Sequence, residues 1–206
     1  MKDQPKYSLA FTAASLRLND MVMAAKAIKE HGIADYRELS EMHVDFKSDK
    51  AETSRRSFRE IRNRLGQLTS DQLEILAEGG LIQQKQIAFL AVCKHYSFIK
   101  DFVIEALWDK TMVFNYQINE SDFNSFINRK IPLQPELETF SESTIKKAKQ
   151  VLFHILEQAG IINNAKDKMI QPQLLDASIL KAIAQDDPQW LRIFMIPDQD
   201  INQIKF

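Results

Sequence analysis

Arginines are concentrated in one short segment of the chain. Five of its nine arginines lie between Arg55 and Arg64. At about 100° per residue on a helix, Arg55, Arg59 and Arg62 share one narrow stripe. Guanidinium groups crowded in this way repel one another unless an anion lies nearby. The segment therefore predicts a helix that presents guanidinium groups to a polyanion. The apolar stripe beside them, which would dock on a core, consists of Phe58, Ile61, Leu65 and Leu68.

A solvated or ion-paired arginine face is the alternative. Arginine favours helices, and its stem often covers the edge of a core while the guanidinium stays in water. Glu60 is the one acid within the run, but acids elsewhere in the sequence could neutralise the face after folding. They are Asp45, Asp49, Glu52, Glu74 and Glu78. The arginine segment alone leaves both alternatives open.

A second concentration of basic side chains lies in the carboxy-terminal half. Apolar spacing predicts a long helix from Glu142 to Ala159 that Ser141 caps and Gly160 ends. Its polar side carries Lys146, Lys147, Gln150 and His154, with Lys149 at the margin. Beyond it, the polar turn 163–168 separates two short apolar pairs in the manner of a β-hairpin. That turn contributes Lys166 and Lys168.

Helical spacing dominates the first half of the chain, which has few glycines and prolines. The first predicted helix spans Leu18 to Ile28 and has Gly32 as its C-cap, and a short helix near Asp35 to His43 follows it. The arginine helix then runs to about Gln67, and the next helix begins with a capping box at Thr69 to Gln72 and ends at Glu78. After Gly79 and Gly80 come an apolar helix that contains Cys93 and a buried helix over Phe98 to Leu107.

The pattern changes after Lys110. Residues 112–118 are β-prone and partly alternate, so we predict a first strand there. A short helix from about Glu120 to Asn128, the long basic helix and the hairpin follow, and two short helices over 174–184 and 188–195 end the chain. The order helix, strand, helix, helix, hairpin is that of a winged helix, in which the third helix enters the major groove and the wing contacts phosphates. Winged domains also serve as protein-binding modules.

Composition limits the function classes. The 206 residues are 45% hydrophobic and 27% charged, which is ordinary for a globular protein, and the net charge of -1 excludes a generally basic protein. Any nucleic-acid binding must therefore come from local patches. The longest apolar run, residues 87–93, is too short to cross a bilayer, and the amino end lacks the features of a signal peptide. We therefore expect a cytoplasmic protein.

Catalytic and metal-binding motifs are not evident in the sequence. The histidines, His31, His43, His95 and His154, are scattered, and none has a metal-ligand spacing with Cys93. The sequence shows no phosphate-cradling glycine loop, nucleophile elbow or paired carboxylates. We predict a protein that is not an enzyme and that has no metal or small-molecule cofactor.

Several strings of residues, taken together and in order, resemble the BrxA family of BREX bacteriophage-defence systems. They span nearly the whole chain, and they are residues 6–15, 56–65, 122–130, 137–147, 151–160 and 191–194. The resemblance implies a cytoplasmic, mostly helical, non-enzymatic, DNA-binding component of a system that distinguishes methylated self DNA from phage DNA. It also implies a helical part similar to the antitermination factor NusB, followed by a winged-helix-like part.

The residues and the resemblance together predict two regions, a helical bundle over 1–110 and a winged-helix-like region over 111–206 with a small β-sheet or hairpin. We predict a double-stranded DNA-binding protein with other BREX proteins as further partners, and no membrane partner. The alternative is an assembly adaptor that docks defence proteins through its arginine helix. The candidate DNA-binding residues come from charge geometry alone. They are Arg55, Arg56, Arg59, Arg62, Arg64, Arg129, Lys130, Lys146, Lys147, Lys149, Gln150, Lys166 and Lys168.

Overall fold

The structure, a computed structural model, describes residues 6–32 and 51–204, with the backbone alone for residues 51–57. This part of the chain is mainly helical, as the sequence predicts. The short helix predicted near Asp35 to His43 lies outside the described residues. The bounds of the helices before the predicted boundary are α1 Leu18–His31, α2 Ala51–Leu65, α3 Ser70–Glu78, α4 Leu81–His95, α5 Ser97–Phe102 and α6 Trp108–Met112.

Local capping sets several of these bounds. Gly32 follows α1 with a φ of 63°, a left-handed conformation that glycine adopts without strain. Thr69 and Gln72 form the predicted capping box, in which each side chain accepts a hydrogen bond from the other residue's backbone N–H. Between α5 and α6, residues Val103–Leu107 form a π-helical turn, so the three segments run on as one interrupted helix.

The second half is also built from helices. Ser141 Oγ accepts a hydrogen bond from the backbone N–H of Thr144 at 3.2 Å and caps the long basic helix, and Gly160 follows that helix with a φ of 76°. The bounds are α7 Glu120–Lys130, α8 Glu142–Gln158, α9 Ala177–Ala184 and α10 Asp198–Ile201, with 3-10 turns at Ile131–Leu133, Pro135–Thr139 and Pro188–Phe194.

The strand predicted over residues 112–118 is wrong. Met112 ends α6, and Phe114 has a φ of 55°, which interrupts an extended backbone. Only isolated bridges form here, between Gln117 and Met169 and between Ile162 and Ile170. The described part of the chain contains no β-strand, so the β-hairpin predicted for a winged helix is not supported. The apolar pairs that flank the turn 163–168 are too short to extend the pairing.

One hydrophobic core joins residues from both sides of the predicted boundary near residue 110. Phe102 packs against Phe123 and Phe153, with ring centroids 5.9 and 6.0 Å apart. The division of the chain into two regions stays a prediction, and the boundary falls within α6.

The segment before α1, residues 6–17, runs across this core and contacts the second half. The Tyr7 hydroxyl donates to Asp101 at 2.7 Å, and the backbone N–H of Leu16 donates to Gln158 Oε1 at 2.9 Å. The segment therefore connects α8 to the first half of the molecule.

Candidate nucleic-acid interface

Helix α2 carries the arginine-rich segment. Phe58, Ile61 and Leu65 are buried, and the helix packs against α1 and α4, which confirms that its apolar stripe docks on the core. Arg59 and Arg62 are exposed on the neighbouring side. We call these two residues the arginine surface. The side chains of Arg55 and Arg56 lie outside the described residues.

Arg64 is a correction to the predicted site. Its guanidinium is fully buried, with Nε 3.1 Å from Glu60 Oε1. Nη1 donates to the carbonyl of Ser15 at 2.8 Å and Nη2 to that of Ala14 at 3.1 Å. Arg64 lies about 160° around the helix from Arg62, because two residues rotate by about 200°. Its donors are used within the fold, so Arg64 is not available to a phosphate.

The Glu60 carboxylate is also committed to this buried network. It accepts a hydrogen bond from the Tyr96 hydroxyl as well as from Arg64. Burial and the Glu60 carboxylate together raise the pKa of Tyr96, so the phenol stays protonated. Burial lowers the pKa of the adjacent His95, Arg64 acts in the same direction and Glu60 opposes them. The one acid within the arginine run therefore neutralises Arg64 rather than the arginine surface.

The acids that could neutralise the arginine surface are accounted for only in part. Glu74 and Glu78 lie 3.2 and 3.7 Å from the Lys29 ammonium, so both pair with a lysine. Within the part of the chain that the structure describes, neither Arg59 nor Arg62 forms an ion pair. The other candidate acids, Asp45, Asp49 and the side chain of Glu52, lie outside it.

A mainly apolar groove of about 360 Å³ opens beside the arginine surface. Arg62 and Asn63 stand at the groove, and α1, α2 and α3 contribute its walls. The apolar lining residues are Ala24, Ile28, Phe58, Leu65 and Leu73.

Helix α8 presents basic residues to solvent. Ala148, Leu152 and Ile155 are fully buried, whereas Lys146, Lys147 and Gln150 are exposed, as the helical spacing predicts. Neither Lys146 nor Lys147 has an acidic partner among the described residues. Such unpaired ammonium groups can bind phosphate oxygens.

Lys149 lies at the margin of this face. Its ammonium is 3.3 Å from Glu120, which is largely exposed, and 5.9 Å from the ring centroid of Phe123. An exposed ion pair of this kind contributes little to stability and exchanges readily for another anion.

Lys130 was predicted to bind DNA, but it is buried, whereas its neighbour Arg129 is exposed. The Lys130 ammonium is buried beside two carboxylates, 3.4 Å from Asp101 and in contact with Glu105. It also lies 5.7 Å from the ring centroid of Phe126. The Lys130 ammonium is therefore used within the fold and is not available to a phosphate, whereas Arg129 is.

The turn 163–168 places two further lysines beside α8. Lys166 is exposed, and the Lys168 ammonium lies 5.4 Å from the ring centroid of Phe153. Asn164 Oδ1 accepts the backbone N–H groups of Lys166 and Asp167, at 2.9 and 2.7 Å, and so shapes the turn. We define the lysine surface as Lys146, Lys147, Lys149, Gln150, Lys166 and Lys168.

The fold does not bring the arginine surface and the lysine surface together. From one side of α2, Arg64 donates hydrogen bonds to the carbonyls of residues 14–16. The backbone N–H of Leu16 donates to the Gln158 side chain at the end of α8. Arg62 projects about 160° away from Arg64 around the helix axis. The arginine surface therefore lies on the side of α2 away from the segment 14–16, which links α2 to α8.

Sequence reasoning missed an exposed apolar turn after α6. The exposed fractions of Val113 and Phe114 are 70% and 82%. The β-prone composition of residues 112–118 was the available signal, and it predicted a strand instead of a surface feature.

Neither a metal-binding cluster nor a membrane-spanning helix occurs among the described residues. No group of three or more His, Cys, Asp or Glu side chains there could hold a metal ion. None of the helices in the described ranges has the length and apolar character needed to cross a membrane.

Comparison with known proteins confirms the family resemblance. The family model described as BrxA matches residues 5–187. The chain belongs to the BrxA family. The BREX protein BrxA of Escherichia coli O9:H4 (strain HS) is 27% identical over 148 residues, which cover 70% of this chain and 70% of that protein. The BREX protein BrxA of Bacillus cereus (strain H3081.97) is 24% identical over 186 residues, which cover 89% and 88%.

The BrxA fold is also found in a solved structure. The crystal structure of an uncharacterized protein from Magnetospirillum magneticum matches with a TM-score of 0.78 at 18% identity, and the match covers 93% of this chain and 98% of that one. At this identity the likeness shows a common fold. A curated relative from Paramagnetospirillum magneticum (strain ATCC 700264 / AMB-1), again a BREX protein BrxA, is 19% identical over 189 residues, or 91% of this chain and 95% of the relative.

Proposed function

We propose that this chain is a double-stranded DNA-binding component of a BREX bacteriophage-defence system, acting in the cytoplasm and without enzymatic activity. Membership of the BrxA family supports the assignment to BREX, because the three curated relatives are each named as BREX proteins. The observation that carries DNA binding is the lysine surface. There, Lys146, Lys147 and Gln150 stand exposed along one side of α8, and Lys166 stands on the adjacent turn.

The lysine surface suits contact with a phosphate backbone. Ammonium groups that lack an acidic partner are free to displace the counterions of DNA, and the release of counterions drives binding. Helix α8 follows α7 after two short 3-10 turns, and it presents its lysines on the side away from the core. Contacts of this kind position the duplex, while the Gln150 amide has a donor and an acceptor that suit the edge of adenine.

Binding to duplex DNA over a series of salt concentrations tests the proposal. Each phosphate contact contributes about -0.9 to the slope of log K against log salt. The double variant Lys146→Gln, Lys147→Gln should therefore bind more weakly, with a slope shallower by about 1.8. A matched control, Lys26→Gln with Lys181→Gln, removes the same charge from exposed positions on α1 and α9. We expect the control to bind like the wild type.

Two results would count against this function. If the folded wild type binds no duplex DNA at low salt, the proposed DNA-binding function is refuted. An equal loss of affinity in the control and in the lysine variant would show that net charge, and not the lysine surface, governs binding. Circular dichroism of each variant excludes unfolding as the cause.

An assembly adaptor is a second candidate function, and the groove beside Arg62 favours it. The groove combines an apolar floor with the Arg62 guanidinium at its edge, and both features are typical of protein interfaces. In this case Arg59 and Arg62 would pair with acids of another BREX protein. Co-purification with other BREX proteins after nuclease treatment, lost in an Arg59→Gln, Arg62→Gln variant, would support the adaptor function. Co-purification that nuclease abolishes would refute it.

A further inference from the structure

The apolar turn, which we define as residues 112–116, projects large hydrophobic side chains into water. The exposed fractions of Met112, Val113 and Phe114 are 59%, 70% and 82%, and that of Tyr116 is 38%. Single exposed hydrophobic residues are common on protein surfaces, but contiguous groups mark interaction sites. The apolar turn is therefore a candidate contact surface.

The backbone of the apolar turn is fixed at both ends. On one side, the N–H groups of Phe114 and Asn115 donate to the carbonyls of Thr111 and Lys110, at 3.1 and 2.9 Å. On the other side, the Tyr116 carbonyl accepts the N–H of Ile170 at 2.8 Å. Phe114 has a φ of 55°, which is unusual for a bulky residue. These bonds fix the backbone on both sides of Phe114, whose side chain is exposed.

The apolar turn borders the lysine surface. The N–H of Ile118 donates to the carbonyl of Lys168 at 3.1 Å, so the chain just after the apolar turn pairs with the turn 163–168. Lys168 in turn lies over Phe153 of α8. Because Phe114 precedes Ile118 by only four residues, it lies within about 13 Å of this pairing along an extended chain.

Acids and lysines both lie around the apolar turn, and two of the acids are paired. Asp122 pairs with Lys110 at 2.8 Å and Glu120 with Lys149 at 3.3 Å, whereas the exposed Asp167 carboxylate has only the neutral Asn164 side chain as a hydrogen-bond donor, at 3.0 Å. The exposed Asp109 is the remaining acid on α6. Lys166, beside Asp167, has no acidic partner among the described residues. Exposed ammonium groups next to an apolar projection match DNA, in which apolar base faces are stacked between rows of phosphates.

We propose that Phe114 inserts between adjacent base pairs of duplex DNA, while Lys166 and Lys168 bind the flanking phosphates. This inference rests on the proposed DNA-binding function and adds a local distortion of the duplex to it. Apolar side chains inserted in this way unstack a base step and kink the helix toward the major groove. Met112 and Val113 then cover the apolar surface that the opened step exposes.

The test compares the wild type with Phe114→Ala on a duplex that contains 2-aminopurine, whose fluorescence rises when it is unstacked. The wild type should bind with a rise in fluorescence. Phe114→Ala should bind on the order of ten-fold more weakly and without that rise, because it loses a base-stacking contact. Its salt slope should equal that of the wild type, because the substitution removes no charge. Leu81→Ala removes an equally apolar side chain, 61% exposed on α4, and should behave as the wild type.

Each contrary result has a distinct meaning. If the wild type binds no duplex at low salt, the proposed function and this inference fail together. If Phe114→Ala binds as the wild type does, with the same rise in fluorescence, only the insertion of Phe114 is refuted. If DNA binding is unchanged but Phe114→Ala abolishes a self-association of the wild type in sedimentation, the apolar turn contacts a second copy of the chain, which also overturns the inference.

Discussion

Arg64 should stabilise the fold and make no contact with DNA. Its guanidinium is fully buried, and it satisfies the Glu60 carboxylate and the carbonyls of residues 14–16. In Arg64→Ala these acceptors lose their donors, and the carboxylate remains mostly buried. Removal of one partner from a buried ion pair costs about 3 to 5 kcal/mol. For a chain of this size each kcal/mol lowers Tm by roughly 2 to 4 °C, so Tm should fall by about 6 to 20 °C.

Thermal and urea denaturation of Arg64→Ala and Arg59→Ala measure this effect side by side. Arg59 is exposed on the same helix, so its substitution should change the free energy of unfolding by less than about 0.5 kcal/mol. Equal stabilities of the two variants would refute the role of Arg64 in the core. So would a loss of DNA affinity in Arg64→Ala at unchanged stability, because that result would show a guanidinium in contact with phosphate.

Two further predictions concern titratable groups, the half-buried His95 and the buried Cys93. The pKa of His95 is lower in the folded protein than its unfolded value of about 6.5, so stability is highest above that pH and falls as pH drops through it. His95→Gln should therefore lose less Tm than the wild type on acidification from about pH 7.5 to 5.5, and an equal loss in both would contradict this. Burial also raises the pKa of the Cys93 thiol, so a thiol reagent should label the native protein only as fast as the core opens. Rapid labelling of the folded protein would disprove the burial of Cys93.

Helix limits could be predicted from the sequence because their causes are local. The left-handed Gly32, the capping box at Thr69 and the Ser141 cap each depend on residues within one turn of the helix end. Family membership could be predicted as well, since ordered strings along the chain carry it. The polar side of α8, with Lys146 and Lys147, follows from helical periodicity in the same way.

The burial and pairing of individual charged side chains could not be predicted in this way, because both depend on partners that are distant in the sequence. Arg64 binds the carbonyl of Ser15, 49 residues earlier, and Lys130 pairs with Asp101, 29 residues earlier. Helical spacing separates Arg64 from Arg62 by about 160°, but it does not show which partners a buried guanidinium finds there. The strand over residues 112–118 was wrongly predicted for a related reason, because apolar and β-branched residues look alike in a strand and in an exposed turn.

The amino-terminal segment also sets an order of events during synthesis. Residues 6–17 are synthesised before the rest of the described chain, yet the backbone N–H of Leu16 donates to Gln158, which is made 142 residues later. At typical rates of about 5 to 20 residues per second, the segment waits on the order of ten seconds for that partner. Phe11 is fully buried in the finished protein by Tyr96 and Phe98 and lies in a turn that contacts α8, so its burial is incomplete for that time. The nascent chain should thus be a chaperone substrate at least until α8 emerges.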